Sequence, residues 1–220
     1  MALYASDEHG QGRTIESGAC RLAEEIAGAF YVRLETRAGV TRISAGRRPM
    51  NHHRDIRIGV IADTHGLFDP AIRRHFRGVD HILHAGDIGD RSVIEQLEQM
   101  ALVTAVSGNV DGKQSGYPSE AVIQLAGRRI AIRHILYEGG KLTKDGQAFL
   151  GRERPDICVF GHTHQPKVEW FGKTLLFNPG SAGPKRFKLS RGLGLLRLCA
   201  AEVKPRLISL PDKAESHVVV

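Results

Sequence analysis

The segment Ile56-Arg57-Ile58-Gly59-Val60-Ile61-Ala62-Asp63-Thr64-His65 decides how the chain is read. Its near-continuous apolar, β-branched run predicts a strand over 56–62 buried on both faces, as strands of parallel sheets are. The strand ends on a carboxylate and an imidazole two positions apart. Such a pair on one turn can approach a single metal ion.

Working outward, further apolar runs at 81–85, 102–107, 129–135 and 157–160 carry polar residues at or just past their ends. They lead to Gly86-Asp87, Gly108-Asn109, His134 and Gly161-His162-Thr163-His164. Another strand is expected at 122–125, and helical spacing occurs at 70–76, 92–100 and roughly 141–152. Strands alternating with helices read as α/β, and in open α/β sheets the carboxyl ends of the strands form one rim. Motifs 22 to 28 positions apart, about one strand-and-helix unit, can therefore converge on one cleft. The tail reads as strands at 168–171, 174–177, 194–199 and 206–210, joined by Gly- or Pro-containing turns that favour antiparallel pairing. Two sheets, one of them mostly parallel, are expected.

The donor types are carboxylate, imidazole and amide oxygen without thiolate, which suits Mn, Fe, Zn or Ni better than a closed structural zinc site. Glycine directly before Asp87, Asn109 and His162 allows sharp bends and close backbone approach. Taken singly, each motif also reads as a turn or a helix entry. The ordered set of five at strand ends is what carries the metal reading. Competing hydrolytic machinery is missing, since the chain shows neither a P-loop nor an evident Ser-His-Asp arrangement.

The ordered signature D-x-H, G-D, G-N, H and G-H-x-H resembles that of the calcineurin-like metallophosphoesterases over about 56–210. Gly108-Asn109-Val110-Asp111 and Asn178-Pro179-Gly180-Ser181 are similar to the small bacterial and archaeal phosphodiesterases within that superfamily. The resemblance implies a four-layer α-β-β-α sandwich of two mixed sheets flanked by helices. It implies that Asp63, His65 and His164 bind a first metal, that Asn109, His134 and His162 bind a second, and that Asp87 bridges both. A hydroxide shared by the two ions would then attack the phosphodiester, with Asp87, Asn109 and His164 the residues nearest the reaction. Mn2+ is the expected metal, with Fe, Zn or Ni as alternatives.

Two positions depart from the family pattern. Many phosphatases of the superfamily carry a leaving-group histidine after the third-motif asparagine, where this chain has Val110. Valine cannot donate a proton, so diesters with good leaving groups are the expected substrates. His134 is followed by Ile135 in place of the usual glycine. Its alternative reading is a histidine that ends a buried strand and hydrogen-bonds to backbone. Phosphomonoesterase or nuclease action by the same site, and a scaffold that has lost catalysis, are the competing functional readings.

Other polar residues invite weaker expectations. His84 is either a partner behind the ligands or a satisfied core histidine, while His75, His81 and His217 read as surface residues. Asp90 and Asp111 either support ligands or cap turns. Arg186 either meets a phosphate or is a solvated charge. The adjacent His52 and His53 point to opposite faces if extended and read as surface residues.

The bulk properties fit a globular enzyme. The chain has 220 residues, 41% hydrophobic and 25% charged, with a formal net charge of +7. Its pI near 9.6 favours anionic ligands, but the basic residues form no block, so nucleic acid is not expected as a partner. Cys20, Cys158 and Cys199 stand far apart without a C-x-x-C pair, which fits a reducing cytoplasm. No signal peptide or apolar run of membrane-spanning length is evident, so a membrane partner is not expected. A homo-oligomer is compatible with the sequence. Three regions are expected: an N-terminal extension over 1–54, the catalytic domain over 55–212, and a tail over 213–220. The extension holds one helical pattern at 17–30 and an Arg- and Gly-rich stretch ending at Met50, which is itself a candidate biological start.

Overall fold

The computed structural model describes residues 55–112, 115–186, 188–199 and 202–214, together with four strands nearer the N terminus. The chain divides into two compact units, Met1–His52 and His53–Val220. In the first, β1 (Leu3–Ser6), β2 (Gly12–Ile15), β3 (Phe30–Arg37) and β4 (Val40–Arg47) form one sheet in the order β2-β1-β4-β3. Residues 17–29 of the expected helix lie outside the described residues, and Phe30 opens β3. The Arg- and Gly-rich stretch carries β3 and β4. Cys20, His52, His53 and His217 also lie outside the described residues.

The second unit follows the sequence closely. Its first sheet contains β5 (Ile56–Ile61), β6 (His81–His84), β7 (Leu102–Ala105), β15 (Gly192–Leu198) and β16 (Val203–Ser209), in the order β16-β15-β5-β6-β7. The second sheet contains β8 (Glu120–Leu125), β9 (Arg128–Arg133), β12 (Ile157–Val159), β13 (Lys167–Phe171) and β14 (Thr174–Asn178), in the order β13-β14-β12-β9-β8. Each sheet has a parallel core of three strands, β5-β6-β7 in one and β14-β12-β9 in the other. Antiparallel strands flank these cores, so both sheets are mixed, where the residue pattern alone suggested one mostly parallel sheet. Pro205 is accommodated because β16 is an edge strand, where a missing N–H costs no ladder bond.

The two sheets face one another. Ile58, Val60, Leu83 and Leu196 from the first pack against Ile130, Ile132, Val159 and Phe177 from the second in one fully buried layer. Burying each such side chain contributes roughly 1.5–3 kcal/mol, more than a typical hydrogen bond, so this layer gives the strand ends a rigid floor. Helices α1 (Ala71–His75) and α2 (Arg91–Glu98) cover the outer face of the first sheet through Ile72, Phe76, Ile94 and Leu97. Helix α3 (Lys144–Glu153) covers the second through Phe149 and Leu150 against Ala131, Cys158 and Leu176. The result is the expected α-β-β-α order. A short hairpin, β10 (Tyr137–Glu138) and β11 (Lys141–Leu142), precedes α3, where the sequence reading ran the helix back to Lys141.

Local signals account for the helix starts. Asp90 caps α2 by accepting from the Ser92 N–H at 2.8 Å, and Thr143 caps α3 by accepting from the Gly146 N–H at 2.9 Å. No helix among the described residues is long and apolar enough to cross a membrane.

Candidate metal centre

The carboxyl ends of β5, β6, β7, β9 and β12 bring all seven predicted ligands to one rim between the sheets. Backbone bonds lace the loops together: the Asp63 N–H donates to Gly86 O at 2.9 Å, His65 N–H to Asp87 O at 2.9 Å, and Gly161 N–H to His134 O at 3.0 Å. Asp63, Asp87, His134 and His164 are buried, His65 and His162 are partly so, and Asn109 is exposed, which leaves one side open.

Two groups of donor atoms converge. Asp63, His65 and His164 form one, while Asp63, Asp87 and His134 form another, so Asp63 belongs to both. His65 Nε2 lies 3.3 Å from His164 Nε2, which lies 3.3 Å from Asp63 Oδ1. On the other side His134 Nε2 lies 3.4 Å from Asp87 Oδ1 and 3.0 Å from Asn109 Oδ1, which is 3.0 Å from His162 Nδ1. These separations test whether a metal fits. Ligands bonded at about 2.1 Å are about 3.0 Å apart along an octahedral edge and about 3.4 Å apart along a tetrahedral one. The five distances span that interval, so the donor set fits divalent metal in both spacing and chemistry.

The backbone conformation carries a second signal. Asp63, His65, Asp87, His162 and His164 all have positive φ, between 47° and 68°. Among the described residues only Ala126 and Arg154 share this non-glycine conformation. Left-handed backbone is costly for residues with a Cβ, and such strain collects at functional sites. Two glycines are required by close approach, and one of them, Gly86, by conformation as well. A Cβ on Gly108 would lie 2.1 Å from Asp87 Oδ1, and one on Gly86, where φ is +88°, would lie 2.7 Å from His134 Nδ1.

Electrostatics tie Asp87 to His134. Burial opposes the Asp87 charge, but the hydrogen bond and charge of His134, with the Val110 N–H at 3.0 Å, outweigh it and hold the carboxyl down to about 2. Burial likewise opposes His134 protonation, and the Asp87 hydrogen bond with the Asp63 and Asp87 charges raises its proton affinity. His65 is shifted the other way, first by burial and then by the positive charge of Arg186.

His134 combines both readings the sequence allowed. It is buried, and its Nδ1–H donates to the Ala85 carbonyl at 2.7 Å. That bond fixes the tautomer and turns Nε2 toward Asn109 and Asp87, as partners behind metal-binding histidines do. His84 proves to be a satisfied core histidine that also supports the rim. The Thr64 hydroxyl donates to Ile88 O at 2.9 Å, so His84 Nε2–H donates to Thr64 Oγ1 at 2.9 Å while its Nδ1 accepts from the Gly86 N–H at 3.2 Å. Asp111 accepts from Gly89 N–H at 2.9 Å and Gly108 N–H at 2.7 Å, joining two motif loops. His81 is a correction: it is buried, with Nε2 2.8 Å from Thr104 Oγ1, because β6 is a central strand whose four residues are all covered.

Several residues support the rim in roles the sequence reading did not assign. The Asn178 amide donates to Gly161 O at 2.9 Å and Thr163 Oγ1 at 3.1 Å, fixing the loop that carries His162 and His164. The Ser181 hydroxyl and the Gly183 N–H both donate to Asp63 O, at 2.9 and 3.0 Å. This loop is clamped by Arg191, which is 2% exposed and donates to Gly183 O, Ala182 O and Pro211 O. Its charge is met by buried Asp69, whose Oδ2 lies 2.8 Å from the guanidinium but off a good hydrogen-bond direction. The Asn178 motif was visible in sequence without a role. Nothing in the spacing of Arg191 or Asp69 marks them as buried.

Comparisons with known proteins agree with this geometry. The profile of the calcineurin-like phosphoesterase superfamily domain matches residues 56–201. A probable metallophosphoesterase of Methanocaldococcus jannaschii is 35% identical over 133 residues, covering 56% of this chain and 67% of that protein. One from Methanothermobacter thermautotrophicus is 34% identical over 136 residues, covering 56% of this chain and 76% of that protein. Among solved structures, a predicted phosphoesterase from Streptococcus pneumoniae superposes with a TM-score of 0.60 at 26% identity, covering 76% of this chain and 95% of its own. Vacuolar protein sorting 29 from Cryptosporidium parvum superposes at 0.58 with 19% identity, covering 71% and 98%, a likeness of fold. On the strength of the matched profile, the relatives and the converging donor set, this chain belongs to the calcineurin-like phosphoesterase superfamily and to its metal-dependent phosphoesterases.

Proposed function

We propose that this protein is a phosphodiesterase whose site holds two divalent metal ions, Mn2+ foremost. The observation that carries the reading is a pair of carboxylates between two donor groups: Asp63 belongs to both groups, and Asp87 turns Oδ1 to His134 at 3.4 Å and Oδ2 to His65 at 3.9 Å. A carboxylate with one oxygen toward each of two donor groups is suited to bridge two cations and to offset their repulsion. Asp63, His65 and His164 would hold one ion and Asn109, His134 and His162 the other. Such ions supply Lewis acidity and shift the pKa of water from about 15.7 to roughly 7.

The chain's own residues do the rest. Ala85 O keeps the His134 lone pair on Nε2, and the 181–183 loop holds the Asp63 backbone in its strained conformation. Arg186 is exposed and its charge is felt at His65, which suits it to meet a phosphate oxygen. Val110 presents a half-exposed aliphatic side chain beside Asn109, so nothing there protonates a leaving alkoxide. Diesters with good leaving groups follow. A scaffold on this fold needs none of the seven donors, and all seven have metal-binding chemistry, which favours the enzyme.

The test is metal analysis and hydrolysis of bis(4-nitrophenyl) phosphate and 4-nitrophenyl phosphate, with and without Mn2+, beside Asp87→Asn. Diester turnover that exceeds monoester turnover and collapses in Asp87→Asn is expected. Native turnover equal to that of the variant with every metal would overturn the reading.

A further inference from the structure

A groove of about 690 Å³ opens beside His162, lined by Tyr137, Glu138, Gly139, Gly140, Gln165 and Lys167 among others. His162 belongs both to this groove and to the donor set, so an ester whose phosphorus sits at the metal centre would extend one arm into it. The volume lies within the ordinary range of small-molecule sites. The lining says which arm.

Besides His162 the wall holds two aromatic residues, Phe160 and Tyr137, and neither offers a stacking face. Phe160 is fully buried, while the Tyr137 ring lies against it at 5.4 Å, is covered by the Lys167 ammonium at 4.8 Å from the centroid, and belongs to a residue 7% exposed. Its hydroxyl donates to Glu169 at 3.1 Å. Groups presented to solvent are instead polar. The Lys167 side chain is 40% exposed and spends one of its three donors on Glu169 at 2.8 Å. Gln165 and Glu138 are exposed, and the Gln165 side-chain amide has no hydrogen-bond partner among the described residues. Gly139 and Gly140 turn the hairpin with φ of 55° and 76°, and a Cβ on either would meet nothing within 4 Å, so their backbone faces open space.

A nucleobase needs a free aromatic face, and an apolar arm needs an apolar wall. Of the lining residues, Val168 is the exposed large apolar one. An ammonium, an amide and a carboxylate around one cleft instead match alternating hydroxyl donors and acceptors. Resting on the phosphodiesterase reading above, we propose that this groove binds a polyhydroxylated alcohol arm of the substrate, a glyceryl or sugar group esterified to the phosphate. Lys167 and Gln165 donate to its hydroxyls and Glu138 accepts from them.

The test uses three 4-nitrophenyl phosphodiesters that share a leaving group and differ in the second arm: glyceryl, phenyl and thymidine 5′. The glyceryl ester should show a kcat/KM about tenfold above the phenyl ester, the scale of discrimination a few matched polar contacts supply. Gln165→Ala and Lys167→Met should each lower that ratio by about threefold or more. In saturation-transfer NMR with the zinc-loaded protein, glycerol 3-phosphate should show signal on its glyceryl protons that both variants weaken. A preference for the phenyl or thymidine ester, or a ratio that neither variant moves, overturns the subsite while leaving the phosphodiesterase intact. Failure to hydrolyse any of the three diesters overturns the parent reading and the subsite with it.

Discussion

Lowering the pH should destabilise the catalytic unit through one histidine that touches no substrate. His84 is fully buried, and desolvation drives its pKa from 6.5 to about 3, with the Asp111 and Asp87 charges pulling it up and those of His134 and His65 pushing it down. Its neutral ring already satisfies Thr64 and Gly86, so a second proton has no acceptor. A folded pKa below the unfolded one means that the unfolded chain binds more protons. The stabilisation is therefore present above about pH 6.5 and is lost as pH falls from there toward the folded value. At pH 5.5 an unfolded histidine is about ten-to-one protonated, which costs the folded state about 1.4 kcal/mol relative to pH 7.5. That figure hardly depends on the folded value once it is well below 5.5. Because His65 and His81 shift downward and His134 upward, the whole slope is not diagnostic. The useful quantity is the difference in slope between the native protein and His84→Gln, measured by urea unfolding of metal-stripped protein. Circular dichroism follows the unfolding, because Trp170, the single tryptophan, is 59% exposed in the folded protein and changes its surroundings little. Equal loss of stability between pH 7.5 and 5.5 in both proteins would refute the reasoning.

Other perturbations reach the site from different directions. Gly108→Ala places a Cβ 2.1 Å from Asp87 Oδ1, so metal affinity by calorimetric titration should fall about 10- to 100-fold, and unchanged affinity would sink the close-approach argument. Asp69→Ala leaves the Arg191 guanidinium buried with only backbone carbonyls around it, which should cost about 3–5 kcal/mol in urea unfolding. A loss no larger than that of an exposed Asp→Ala control, Asp145→Ala, would count against the buried ion pair. Val110→His should raise turnover of phenyl phosphate, whose poorer leaving group needs a proton, at least about tenfold relative to 4-nitrophenyl phosphate, and an unchanged ratio of the two would remove the missing-acid explanation.

The parts legible in sequence were those with a local grammar. Apolar β-branched runs gave the strands of the second unit, and the polar residues at their ends gave the seven candidate donors that the fold gathers on one rim, because both follow from spacing along one segment. The two-sheet pairing was less legible. β14 joins β12 in parallel although it follows β13 by a tight turn, a choice settled by burial of Leu175 and Phe177 between the sheets. Long-range support was hidden altogether: Arg191 sits 122 positions from Asp69 in number of neither helix nor strand period, and only the folded loop shows that it clamps the backbone of Asp63.

The left-handed backbone of five donor residues has a consequence for how this fold can drift. Each is held in a conformation that costs an L-residue on the order of 1–2 kcal/mol, and glycine would relieve it. Asp63 and Asp87 also bring two carboxylates together in a buried site. Exchange of His65 or His164 for glycine would relieve that cost, whereas Asp63 and Asp87 accept backbone N–H bonds from His162 and Val110 that glycine would leave orphaned. The two carboxylates are thus tied to the fold itself, and the histidines are the donors that drift on this scaffold would shed first.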